Sequence, residues 1–117
     1  MRARLLLVAA LALAVVVPVS ADRRSEAKEQ VTFGIELAQK GIWQAATRHF
    51  ERATKIDPSY AAAWNNLGVG FEQLGEFQKA REAYESAREL EPDNTFINNN
   101  YDLFREIYDR QNRRFDR

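Results

Sequence analysis

The sequence has no cysteine, one histidine, one methionine and three prolines in 117 residues. Without cysteine no disulfide can support the fold, so stability has to come from side-chain packing. The single histidine, His49, has no nucleophile or metal ligand at helical spacing around it and reads as a surface or packing residue. No phosphate-cradling loop, metal-ligand spacing or N-x-S/T acceptor occurs. Lys and Arg number 17 against 17 Asp and Glu, so no basic excess points to nucleic acid. Catalysis has no support in these residues, and no cofactor or metal is implied.

Long apolar runs are also scarce, with one exception. The chain opens MRARLLLVAALALAVVVPVSA, with Arg2 and Arg4 ahead of an apolar stretch from Leu5 to Val17, then Pro18 and the small-residue site Val19-Ser20-Ala21 before Asp22. That order is a secretory signal peptide over 1–21, cleaved after Ala21. The competing reading is an uncleaved membrane anchor. As a helix, however, 13 residues reach only about 20 Å, short of the roughly 30 Å hydrocarbon core. Without Arg2 and Arg4, 15 basic residues face 17 acidic ones. The expectation is an exported protein, periplasmic or secreted and bacterial in the style of its signal.

The remainder repeats itself. A shift of 34 residues pairs Ala27 with Ala61, Gly34 with Gly68, Gly41 with Gly75, Ala46 with Ala80, Phe50 with Tyr84, Ala53 with Ala87 and Pro58 with Pro92. Each unit reads as an apolar-periodic segment, a glycine turn, a second such segment, and an acidic residue followed by proline. Proline cannot continue a helix but fits its first turn. The pattern therefore predicts helices near 26–40, 43–56, 59–74, 77–90 and 94–112. The fold class is all-α: a helix-turn-helix solenoid fragment of two units, 27–60 and 61–94, behind a linker at 22–26. A capping helix over 95–112 and a basic tail at 113–117 complete the chain.

These residues resemble the tetratricopeptide repeat (TPR) family. In 61–94 the resemblance rests on Trp64, Leu67, Gly68, Phe71, Gly75, Phe77, Ala80, Tyr84, Ala87, Leu90 and Pro92. In 27–60 it rests on Phe33, Gly34, Leu37, Gly41, Trp43, Ala46, Phe50, Ala53 and Pro58, with Gln30 where the family has tryptophan.

The stretch AWNNLGVGFEQLGEF, Ala63 to Phe77, holds three glycines inside or beside a helical pattern, although an interior glycine costs about 1 kcal/mol relative to alanine. Gly34 and Gly68 are expected to let the two helices of a unit approach closely, beside Phe50 and Tyr84. Gly41 and Gly75 are expected to end their helices. Gly70 is expected to make room for Phe104 or Tyr101 of the fifth helix. At the third position of the Gly34/Gly68 series stands Asp102, which suits only a face that meets water. The fifth helix is therefore read as a cap that packs through Ile97, Tyr101, Phe104 and Tyr108, with Asp102 and Arg105 solvated. Phe115 extends that packing stripe if the helix persists.

In proteins with this repeat the first helices of successive units line a concave groove for a peptide or a partner helix. The resemblance carries that face to Lys28, Val31, Ile35 and Gln39, to Ala62, Asn65, Val69 and Gln73, and to Phe96, Asn99, Leu103 and Ile107. A carboxylate clamp, which uses Lys, Arg and Asn on this face, is not expected, because the matching positions include Val31, Ile35, Val69, Phe96 and Asn100. Periodicity supports the same face independently. Phe96, Leu103 and Ile107, at i, i+7 and i+11, form a second apolar stripe on the fifth helix beside its packing stripe. The site expected is thus Val31, Ile35, Asn65, Val69, Phe96, Asn99, Leu103 and Ile107, with a protein or peptide as partner. Two readings compete: coverage of the strip by the N-terminal segment, or a structural role through homo-oligomers. A membrane role arises only if the leader stays attached.

Overall fold

The computed structural model describes residues 19–115, which form five helices: α1 Val19–Gln39, α2 Trp43–Ile56, α3 Ala61–Gln73, α4 Phe77–Leu90 and α5 Thr95–Phe115. The expected leader up to Pro18 lies outside the described residues, as do Asp116 and Arg117 of the expected tail and the packing of the Phe115 side chain. Among the described residues no helix is long and apolar enough to cross a membrane.

The turn within each unit is the same device used twice. Gly41 and Gly75 have φ of 76° and 75°, a left-handed conformation that glycine adopts without steric cost. Behind them the Ile42 amide donates to the Leu37 carbonyl and the Glu76 amide to the Phe71 carbonyl, both at 2.9 Å. These bonds satisfy carbonyls that the ends of α1 and α3 would otherwise leave unpaired.

Between units, the Asp57 amide returns to Ala53 and the Tyr60 amide to Asp57, as Glu91 returns to Ala87 and Asn94 to Glu91. Each proline carbonyl then takes a side chain from the following helix: Trp64 Nε1 donates to Pro58 and Asn98 Nδ2 to Pro92, both at 2.9 Å. Trp64 and Asn98 are 34 residues apart, so the second junction reproduces the first with a different donor.

α1 pairs with α2 and α3 with α4, and the units stack through α2 on α3 and α4 on α5. Ala46, Ala53, Ala80 and Ala87 are fully buried at these contacts. Gly34 and Gly68 act more directly than expected, since the large rings lie on the glycines rather than beside them. A Cβ at Gly68 would stand 2.9 Å from the Tyr84 ring, and one at Gly34 would overlap the Phe50 ring.

Gly70 corrects the sequence reading. A Cβ there would collide with Thr47 Oγ1 and lie 3.1 Å from Thr47 Cβ, so Gly70 makes room for α2 behind it and not for α5 ahead. Thr47 is held in place by donating its hydroxyl to the Trp43 carbonyl at 2.7 Å.

α5 caps the stack as expected: Ile97, Tyr101 and Phe104 are buried, while Asp102 and Arg105 are exposed. Phe104 lies 5.3 Å from the Tyr84 ring and 5.7 Å from that of Tyr108, so an aromatic column closes the second unit.

The end helices overshoot. Shifted by 34, Ala61 and Gln73 of α3 correspond to Ala27 and Ile107, so α1 starts eight residues early, at Val19, and α5 ends eight late, at Phe115. Residues 22–26, expected as a linker, are therefore part of α1; none of these five is a glycine or a proline. Arg24 ties this part down: Nε donates to Asp57 Oδ2 at 2.6 Å, Nη2 to Ser59 Oγ at 3.2 Å, and the guanidinium stands 4.8 Å from the centre of the Tyr60 ring. Residues 113–115 of the expected tail likewise continue α5.

Candidate protein-binding groove

α1, α3 and α5, the first helices of the successive units, neighbour one another in that order, while α2 and α4 make no close backbone approach. Between α1 and α3 lies a hollow of about 330 Å³ bordered by Ile35, Gln39, Trp43, Phe50, Asn66 and Val69. Two expected residues, Ile35 and Val69, thus come together. Trp43, Phe50 and Asn66 were not expected there. Their signal was positional: Trp43 opens α2 just past the glycine turn, where it bends back over the end of α1.

Two expected residues are not available. Val31 is 6 % exposed and belongs to the core with Ala27, Phe50, Ala63 and Leu67. Asn65 is 3 % exposed, and its Oδ1 accepts from Asn100 Nδ2 at 3.2 Å. The reason is shared. Positions 31, 65 and 99 face the next first helix, so α3 covers Val31 and α5 covers Asn65, whereas Asn99, with no later helix described, is exposed. The hydrogen-bonding capacity expected of Asn65 is spent on holding α3 to α5.

The α5 side of the face is open. Phe96 is 66 % and Leu103 61 % exposed, and Ile107 and Ile35 are exposed as well. Large apolar side chains left in water at helical spacing are unusual unless something covers them. Lys28, Gln39 and Gln73 are exposed around this strip, and Ala62 is half-buried.

The perturbed titratable groups lie elsewhere. The Ser59 hydroxyl, and then the Arg24 guanidinium, hold the Asp57 carboxyl below its usual range against the opposing effect of burial. Burial, then the bond to Glu72 at 2.8 Å, raises the Tyr84 phenol above its usual value. Burial, then Glu85, does the same to Tyr101. All three organise packing between helices. His49 Nδ1 lies 2.9 Å from Gln30 Oε1, bridging α2 to α1. Among the described residues no three His, Asp or Glu side chains cluster to hold a metal ion.

Two family models match the chain, one of them over the second unit and the other across the junction between the units. The sequence model of the family described as "Tetratricopeptide repeat" matches 61–94, and that of "TPR repeat" matches 34–75. Residues 34–94 are tetratricopeptide repeat. The chain is 30 % identical over 73 residues to "Tetratricopeptide repeat domain-containing protein PYG7, chloroplastic" of Arabidopsis thaliana, covering 62 % of this chain and 24 % of that protein. It is 37 % identical over 51 residues to "Heat-shock protein cognate (HSC) co-chaperone sgt12" of Aspergillus fumigatus, covering 44 % of this chain and 15 % of that one. In both cases it spans far less than two thirds of the relative. Among solved structures it resembles the Sgt2 TPR domain from Aspergillus fumigatus, with a TM-score of 0.68 and 20 % identity over 82 % of this chain and 83 % of that one, a likeness of fold. The tetratricopeptide scaffold is generally a non-catalytic interaction module.

Proposed function

We propose that this tetratricopeptide protein is a non-enzymatic adaptor or assembly factor that holds a peptide or helix of a protein partner against α1, α3 and α5. The observation that carries the reading is the exposed strip of Ile35, Phe96, Leu103 and Ile107, on the face where Val69 borders an open hollow. A partner helix buries such a strip through apolar anchors spaced three, four and seven residues apart. Trp43 and Phe50 offer a floor for one anchor side chain. Val31 and Asn65 support the face from beneath.

The adaptor acts in the cell envelope on this reading, because the leader has the order of a cleaved signal. N-terminal sequencing tests that part: a chain starting at Asp22 agrees, and one that keeps Leu5 to Val17 makes the protein a membrane-tethered scaffold instead. The binding reading is tested with a photo-crosslinking residue at Val69 in the native host, with Glu89 on the opposite side as control. A discrete protein adduct at Val69 that is absent at Glu89 is expected, and equal labelling at both sites would overturn the groove.

A further inference from the structure

The outer strip of α5 has a chemical polarity that the α1–α3 hollow lacks. Phe96, Leu103 and Arg110 recur every seventh residue along one line, a spacing that keeps side chains on one side of a paired helix. The line is apolar at its start and basic at its end, where Ile107, Arg110, Arg113 and Arg114 border an open cleft. Two acidic side chains, Glu91 and Asp93, stand just before the helix begins. A surface that is acidic at one end, apolar in the middle and basic at the other complements itself when reversed.

We propose that α5 pairs antiparallel with α5 of a second copy about a two-fold axis at Leu103. The proposal rests on the reading of this strip as a protein-binding surface and assigns its α5 side to a second copy, leaving the hollow between α1 and α3 for another partner. The axis fixes the register. Leu103 meets Leu103 of the partner subunit. Phe96, seven residues before the axis, meets Arg110 of the partner subunit, seven after it, and a guanidinium over an aromatic face is attractive. Asp93, ten before, meets Arg113 of the partner subunit, ten after.

Among the described residues neither Asp93 nor Arg113 has an ion-pair partner within the chain. Arg110 pairs with Glu106 at 2.7 Å, an i, i+4 contact on the exposed helix surface that leaves the rest of its guanidinium accessible. Antiparallel helices also place the positive start of each beside the negative end of the other. The same patch serves both copies, so the contact closes at two. Asp102, at the position occupied by glycine in the inner units, keeps the adjacent face of α5 charged and discourages further stacking.

Leu103→Cys, in protein produced from the full sequence, tests the axis cleanly because the chain has no other cysteine. The unmodified protein is expected to show a concentration-dependent monomer–dimer equilibrium in sedimentation. The Leu103→Cys variant is expected to form a disulfide-linked dimer under mild oxidation, whereas Phe33→Cys, on the far edge of α1, does not. Asp93→Arg should weaken the dimer at least tenfold, and adding Arg113→Asp to the same chain should restore it. A protein that stays monomeric at every concentration measured overturns the pairing. So does equal crosslinking through Phe33→Cys, or a reversed charge pair that fails to recover. Capture at Val69 is scored separately: its persistence in a monomeric protein sinks the pairing alone, and its loss while Leu103→Cys still crosslinks sinks the adaptor reading alone.

Discussion

α1 and α5 both overrun the inner helix α3 by eight residues, at opposite ends of the molecule, and the two extensions are treated differently. That of α1 is tied across the stack, Arg24 reaching Asp57, Ser59 and Tyr60 in the turn between units. Beyond Tyr108, which packs on Phe77 of α4, the side-chain hydrogen bonds of the α5 extension among the described residues stay within its own helix: Arg110 to Glu106 and Arg113 Nε to the Asp109 carbonyl at 3.2 Å. Their flanks differ as well. Positions 33, 67 and 101 face the preceding second helix, so Leu67 and Tyr101 are buried, while Phe33, with no such helix described before it, is 51 % exposed. The far flank of α5 carries Asp102, Glu106 and Asp109. Among the described residues the outer flank is thus charged at α5 and apolar at α1, and a charged flank is the one that resists addition of a further unit.

Matched substitutions should separate the two helices. The largest difference is expected at the glycine position. Gly34→Ala drives a methyl into the Phe50 ring and should cost about 1–3 kcal/mol in urea unfolding, while Asp102→Ala in water should stay within about 0.5 kcal/mol. Equal effects would mean that α5 is not free on that side.

Next come the arginines. Arg24→Ala removes a charge-assisted bond to a buried carboxylate and should cost about 1–2 kcal/mol, with faster amide exchange over residues 22–30. Arg113→Ala should change the stability of the monomer by less than about 0.5 kcal/mol.

The acid dependence sharpens the same contrast. Asp57 has a folded-state value below its unfolded one of 3.8, so its contribution is present above that value and is lost as pH falls through the folded-state value. The Tm gap between the unmodified protein and Arg24→Ala should accordingly narrow in acid, and a gap that does not change would remove Asp57 as its source. A smaller loss than that of Arg24→Ala is expected for Tyr84→Phe, which keeps the ring over Gly68 and copies Phe50 of the first unit. Loss of the bond to Glu72 should cost about 0.5–1.5 kcal/mol. A group with a raised value contributes stability below its unfolded value of 10.0 and loses it as pH rises towards the folded one. Tyr84→Phe should therefore lose less stability than the unmodified protein in alkali.

The five helices and the cap were legible because apolar period, turn glycine and proline recur at one spacing. What the repeat could not convey is which neighbour covers a given position. Gly70 shows this. Its counterpart Phe104 packs back onto Tyr84 of the preceding helix, so the same position in the second unit must also face back, towards Thr47. Val31 and Asn65 failed for the related reason that a helix in a stack is covered by the next unit, which a single-helix wheel omits. The start of α1 was misplaced because its anchor, Asp57, lies 33 residues away, beyond any local signal.

The two tryptophans stand at two separate places, the proposed groove and the joint between units. Trp43 borders the hollow between α1 and α3, and the Trp64 indole N–H is bound to the Pro58 carbonyl at the joint between units. Each therefore acts as a built-in fluorophore for one event. With Trp43→Phe, emission should follow the parting of the units and ignore occupancy of the hollow; with Trp64→Phe, it should follow occupancy and change little at the joint.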